Sequence, residues 1–255
     1  MTVSKSLDDE SFDFSVPQFP RFRWPKSVPP VPPEQQRIAD DFMHYWHEVL
    51  PRKYGLIERF NHTYPLLSMP VTGRVKTLEL GAGLGGHLAY EPLDRQEYHC
   101  MELRAAMAAE IRRRYPSAVT VTGDCQHNIP YPDASFDRVI AIHVLEHLPE
   151  LPGAIGEVYR VLKPDGVFSV VLPCDPGLAY GMARKISAER FFRTRYGIPY
   201  GWLIRREHLN SPAEILHVIG QKFGMDRRSY FPFGIPVATI NLCIGVTAYK
   251  RNPAA

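Results

Sequence analysis

The apolar positions follow two kinds of pattern, and the change between them divides the chain. From Glu34 the stretch EQQRIADDFMHYWHEVL carries Ile38, Phe42, Tyr45, Trp46, Val49 and Leu50 at helical spacing, which predicts an amphipathic helix. Pro33 suits its first turn, and Pro51 helps to stop it. From Val75 onward short apolar runs alternate with helical stretches. Strands are predicted at 75–80, 97–102, 118–122, 137–143 and 166–172, with helices at about 86–91, 104–115 and 151–162. Such alternation builds a parallel sheet with right-handed crossovers. The turn Lys163-Pro-Asp-Gly166 separates the last of these helices from the fifth strand.

Outside this core the pattern weakens. The first 33 residues are rich in proline (Pro17, Pro20, Pro25, Pro29, Pro30, Pro32, Pro33) and read as an extended arm, with Phe12, Phe14, Phe19, Phe22 and Trp24 as groups it can bury. Residues 52–72 read as an irregular connector. After residue 173 the alternation stops, and 174–210 is basic and aromatic without a clear period. Ser211-Pro-Ala-Glu214 then reads as a capping box with proline at the first helical position, and Gly224 as the stop of that helix. Two apolar stretches within 229–250, split by Gly234 and Pro236, predict an antiparallel pair at the sheet edge.

The candidate chemistry begins where the first strand ends. Val75–Leu80 runs into Gly81, Gly83, Gly85 and Gly86, a density of glycine expected where the backbone needs positive φ or a ligand approaches closely. Two cofactors compete for it. Gly81, Gly83 and Gly86 satisfy the dinucleotide spacing G-x-G-x-x-G, and Glu102 follows Gly81 at about the distance of a ribose-binding acid, which admits an NAD-dependent oxidoreductase.

The second reading rests on more residues. Glu79, Gly81, Gly83 and Gly85 spell E-x-G-x-G-x-G, which resembles motif I of the class I S-adenosyl-L-methionine (SAM)-dependent methyltransferases, type 11-like. YHCMEL, TGDCQHNIPYPDASFDRVIAIHVLEHL and YRVLKPDGVFSVVLP look like the later segments of that family, in order, through Pro173. The resemblance implies a Rossmann-like three-layer α/β sandwich. Its seven-stranded sheet would be mostly parallel, with an antiparallel C-terminal strand pair, and this chain adds an N-terminal helix. It implies SAM as cofactor, held by Glu79, Gly81, Ala82, Gly83, Gly85, Glu102, Leu103, Asp124, Cys125 and His143. Glu79 would serve the methionine end, Glu102 the ribose, and Asp124 with Cys125 the adenine, with Leu103 and Ile129 sandwiching the ring. The organisation expected is an arm and helix over 1–72 and a methyltransferase domain over 73–255, with 174–210 as a variable acceptor-side insertion.

A base is needed only where the acceptor must lose a proton. His143 and His147, and after them His208, are the candidates. The first two flank Val-Leu-Glu at a spacing that also suits a metal pair, but the resemblance makes this segment a wall of the cofactor cleft, and no metal is expected. Acceptor choice falls to the N-terminal segment and to 174–210, where Arg184, Lys185, Arg190, Arg193, Arg195, Arg205 and Arg206 interleave with Phe191, Phe192, Tyr196, Tyr200 and Trp202. Arginine and aromatic rings together suit an anionic or lipid-linked acceptor, or peripheral contact with an anionic membrane. A solvated basic lid fits equally well.

Composition narrows the classes. A net charge of +3 over 255 residues is too mild to point to nucleic acid. No apolar run is long enough to span a bilayer, no signal peptide is visible, and the scattered cysteines suggest buried thiols, so a cytoplasmic protein is expected. The reading is therefore O-methylation of a small-molecule or glycan-type acceptor. Methylation at nitrogen or carbon of a metabolite such as a quinone-like ring, a non-catalytic SAM-binding protein and the oxidoreductase are the alternatives.

Overall fold

The computed structural model describes residues 22–53, 55–70 and 73–251; the arm up to residue 21, with Phe12, Phe14 and Phe19, lies outside the described residues. The described residues include seven strands: β1 (Val75–Leu80), β2 (Gln96–Glu102), β3 (Val119–Thr122), β4 (Phe136–Ile142), β5 (Leu162–Pro173), β6 (Phe223–Phe231) and β7 (Cys243–Lys250). They make one sheet in the order β3-β2-β1-β4-β5-β7-β6, with β7 antiparallel to both neighbours and the β1–β5 pairs parallel. The expected antiparallel pair is there, but the last strand slots inside the sheet and β6 takes the edge. Burial explains the order. β7 is buried from Cys243 to Ala248 and needs neighbours on both sides, whereas β6 carries exposed Arg227 and Arg228, which suit an edge.

Helices cover both faces. Leu78, Leu80, Val139, Phe168 and Val170 pack against α4 (Leu151–Val161) and α8 (Pro212–Lys222) in the larger core. On the other face, Tyr98 and Cys100 meet Ile111 of α3 (Ala105–Arg114). The capping box forms at Ser211 and Glu214 as read. Its helix stops sooner: α8 ends at Lys222 and β6 starts with the buried Phe223, so Gly224 lies in the strand. All four cysteines are buried free thiols.

The N-terminal part holds more structure than its pattern suggested. α1 (Pro33–Lys53) runs on past Pro51, since a proline in the last turn removes one amide without ending the helix. In place of an irregular connector, α2 (Gly55–Thr63) and a 3₁₀ turn (Pro65–Ser68) follow. Ile57, Phe60 and Tyr64 pack these onto Val171 and Cys243, and Gly245 leaves the space that the Tyr64 ring fills: a Cβ there would lie 2.5 Å from it.

Residues 174–210 fold as three short helices, α5 (Leu178–Arg184), α6 (Arg190–Tyr196) and α7 (Gly201–Glu207), with a π turn between the first two. They share a small core with α1, in which Phe42 meets Phe192 and Tyr200 edge to face. The arm helps to close the assembly: Trp24 donates to Asn210 (3.0 Å), and Lys26 pairs with Glu214. These elements form a helical cap beside the sheet.

Candidate functional site

The glycine loop leaves β1 at its carboxyl end. The amides of Gly81 and Ala82 donate to the Met101 carbonyl (2.8 and 3.4 Å), which ties the loop to β2. Gly81, Gly83 and Gly85 have φ of 62°, 56° and 78°, while Gly86 has φ −60°. A Cβ at Gly81 would meet Val144 at 2.5 Å, and one at Gly86 would find nothing nearer than 3.8 Å. The positions that require glycine are thus 81, 83 and 85, the spacing that includes Glu79, and not the 81-83-86 spacing of a dinucleotide site. Nor does a long helix follow. Where residues 86–91 were expected to be helical, a 3₁₀ turn spans His87–Ala89 and offers no helix N-terminus as a pyrophosphate seat.

Two buried acidic side chains bracket the loop. Glu102 ends β2 and accepts from the amides of Gly83 and Arg104, both at 2.9 Å, through different oxygens. Each oxygen keeps a lone pair for a diol. Glu79, 3% exposed, accepts from the Tyr98 hydroxyl at 2.9 Å. Burial raises its carboxyl to about 8, against that hydrogen bond and helped by nearby Glu91. The folded chain therefore keeps a proton that the unfolded chain sheds above its ordinary value, and the stability this gives is lost as pH rises from about 4.5 to about 8. Glu79→Gln should remove that slope. We expect it to exceed the wild type by about 2 kcal/mol in urea unfolding above pH 8, allowing for relaxation around the ionised group, and to match it below pH 5. Identical slopes in both proteins would show that Glu79 ionises freely.

The adenine-side residues are placed unevenly. Leu103 stands 61% exposed beyond the end of β2, open to a ring laid on it. Asp124 is taken up within the chain: it accepts from the Gln126 amide (2.9 Å) and from its side-chain nitrogen (3.0 and 3.1 Å). Cys125 is buried, and burial pushes its thiol up to about 12. Ile129 corrects the sandwich: it is fully buried in the main core, held by apolar packing rather than turned to the cleft.

The candidate bases meet beyond the carboxyl end of β4. His143 has φ 52° and its Nδ1 lies 3.4 Å from Glu146. Burial opposes its charge, but the Cys243 sulfur and the Glu146 carboxylate outweigh it and raise the pKa, which favours a donor over a base. Burial favours the neutral form of His147, whose Nδ1 donates to the Glu207 carbonyl (2.6 Å). His208, just after α7, donates from Nδ1 to Asp175 (2.8 Å). Glu146, 1% exposed, sits among the three histidines. Glu146 lies between His143 and His147 in the sequence, and that flanking pair was the signal that could have pointed to it.

The basic segment is partly spent on the cap itself. Arg195 pairs with Asp41, Arg184 with Asp175, and Arg206 donates to Gln36. Lys185, Arg190 and Arg193, with Ile186 and Glu189, line an open cavity of about 630 Å³ whose walls all belong to the cap. No helix among the described residues is long and apolar enough to cross a membrane.

Residues 78–170 match the family model described as "Methyltransferase domain". Sterol 24-C-methyltransferase from Aspergillus fumigatus is 35% identical over 125 residues, 46% of this chain and 32% of that protein. Malonyl-[acyl-carrier protein] O-methyltransferase from Halorhodospira halophila is 37% identical over 97 residues, 36% of this chain and 32% of that protein. This chain spans about a third, or less, of the length of the curated relatives it matches. A TehB-like SAM-dependent methyltransferase from Corynebacterium glutamicum superposes with a TM-score of 0.59 at 14% identity, covering 85% of this chain and all of that one. Residues 78–170 thus resemble a methyltransferase domain, and the sheet order around them is that of the class I SAM-dependent methyltransferase fold.

Proposed function

Starting from the match to a methyltransferase domain, we propose that this chain transfers a methyl group from SAM to an oxygen of a small-molecule or glycan-type acceptor held beside the helical cap. The observation that carries the reading is the loop in which Gly81, Gly83 and Gly85 all adopt positive φ between the carboxylates of Glu79 and Glu102. When bound, SAM supplies a methyl already activated on a sulfonium. The chain's own work is then to hold and align. Glu102 is suited to a ribose diol, with charge-assisted bonds each of about 1.5–3 kcal/mol. Glu79 is suited to the cationic end, since a neighbouring positive charge favours its ionised form. Leu103 offers the adenine an apolar ledge, and Asp124 would serve the adenine amine once Gln126 releases it.

Two features support an oxygen acceptor of mixed character. The acceptor end of the cleft is polar, with Glu146, His147, Asp175 and His208 gathered there. On the cap, Leu178, Met182 and Ile186 are exposed at successive turns, beside Lys185, Arg190 and Arg193. Apolar and basic groups side by side suit a lipid-linked or anionic acceptor and contact with an anionic membrane surface.

Calorimetry tests the donor: SAM should bind and NAD(H) should not, and the opposite outcome would sink the proposal. Glu102→Ala should weaken SAM binding at least tenfold, since it removes a charge-assisted partner of the ribose. Wild-type affinity in that variant would take the role from Glu102. Incubation with methyl-labelled SAM and candidate acceptors, read by mass spectrometry, tests the transfer itself.

A further inference from the structure

We propose that Glu146, His147 and His208 form a site for one divalent first-row transition-metal ion, set beyond the carboxyl end of β4 with coordination positions left open for an acceptor oxygen. One ligand atom from each residue lies within 4.8 Å of the other two. Two imidazoles and one carboxylate are a donor set suited to ions such as Mn²⁺, Co²⁺ or Zn²⁺. Ligands about 2.1 Å from one ion stand roughly 3–3.5 Å apart, so small side-chain shifts would close the triangle.

A second observation is independent of that spacing. Oε2 of Glu146 is buried and has no hydrogen-bond partner among the described residues, in a side chain that is 2% exposed. A buried, unsatisfied carboxylate oxygen is costly and calls for a ligand. Oε1 meanwhile lies 3.8 Å from Nε2 of His147, too far for a hydrogen bond, and 3.4 Å from Nδ1 of His143.

The surroundings fix both rings for ligation. His147 gives its Nδ1 proton to the Glu207 carbonyl, and His208 gives its own to Asp175, so each presents Nε2 as a lone pair. This is the outer-shell arrangement that sets tautomer and orientation in histidine metal sites. The backbone holds the parts in register: the amides of Leu209 and Asn210 donate to the Glu146 carbonyl (2.8 and 3.0 Å), and the Asn210 side chain donates to the carbonyls of Leu145 and Leu148 (2.9 and 2.7 Å). The use of the ion rests on the methyl-transfer reading, in which an acceptor hydroxyl bound to it becomes more acidic; its binding does not.

The test uses the untagged full-length chain, treated with chelator and dialysed, then titrated with Co²⁺ alone by visible absorption and with Mn²⁺ alone by calorimetry. One ion per chain is expected. Glu146→Gln and His208→Ala should each weaken it at least tenfold, and Asp175→Asn should weaken it less. Circular dichroism of each variant checks the fold. No binding of either ion to the wild type, or undiminished binding in well-folded His208→Ala, would overturn the site. SAM binding, followed in parallel without metal, keeps the two claims apart: its survival alongside failed metal binding removes only the metal site.

Discussion

Arg138→Ala should lower stability by about 3–5 kcal/mol, the cost of leaving a buried charge without its partner. Its guanidinium is fully buried and meets Glu91 at 2.9 Å, the Ser68 hydroxyl at 3.0 Å and the Pro65 carbonyl at 2.6 Å. Glu91 also accepts from His87 and Gln96, both at 2.8 Å. Burial works against the charged Glu91, but His87 and Arg138 outweigh it and hold its pKa at about 2. The stability Glu91 gives is therefore present above about pH 4.5 and lost as pH falls toward 2. In thermal melts at neutral pH the variant should fall by roughly 6–20 °C. Adding Glu91→Leu should cost less than the sum of the single changes, because the orphaned charge goes with it. A melting temperature close to that of the wild type would mean that water reaches the network and relieves it.

Gly81→Ala should abolish SAM binding and cost about 2–5 kcal/mol, combining a left-handed alanine with an overpacked contact. The new methyl group would lie 2.5 Å from Val144 at φ 62°. Gly86→Ala, with φ −60° and 3.8 Å of clearance, should bind SAM as the wild type does. Val144→Ala added to Gly81→Ala should recover part of the stability, since it removes the clash but not the backbone strain. Should Gly86→Ala prove the more damaging, the loop would be working at the dinucleotide spacing after all.

The geometry of the glycine loop was legible because its signals are local. Glu79, the three glycines and Glu102 are set by strand ends and by backbone angles that neighbouring residues dictate. Arg138 was not: in FDRVIAI it reads as one charge in a strand, and its partners Glu91 and Pro65 lie 47 and 73 residues away. Asp124 stands out in the sequence, but its carboxylate is taken up locally by Gln126, which residue spacing does not announce. The cap hid its period because α5, α6 and α7 are only 7 residues each, about two turns, too short for helical spacing to declare itself. His208 joined Glu146 and His147 through the fold of that same segment, which no spacing in the sequence announces.

The shared core of α1 with α6 and α7 has a practical meaning for engineering. Phe42 and Phe192 lie on either side of the β1–β5 segment in the chain and pack edge to face. An exchange of residues 174–210 between related proteins would strand Phe192, Tyr200 and Leu203 against a foreign helix. If the cap holds the acceptor as proposed, substrate range should therefore move between scaffolds as a matched pair of segments, with α1 and its docking arm travelling together with residues 174–210.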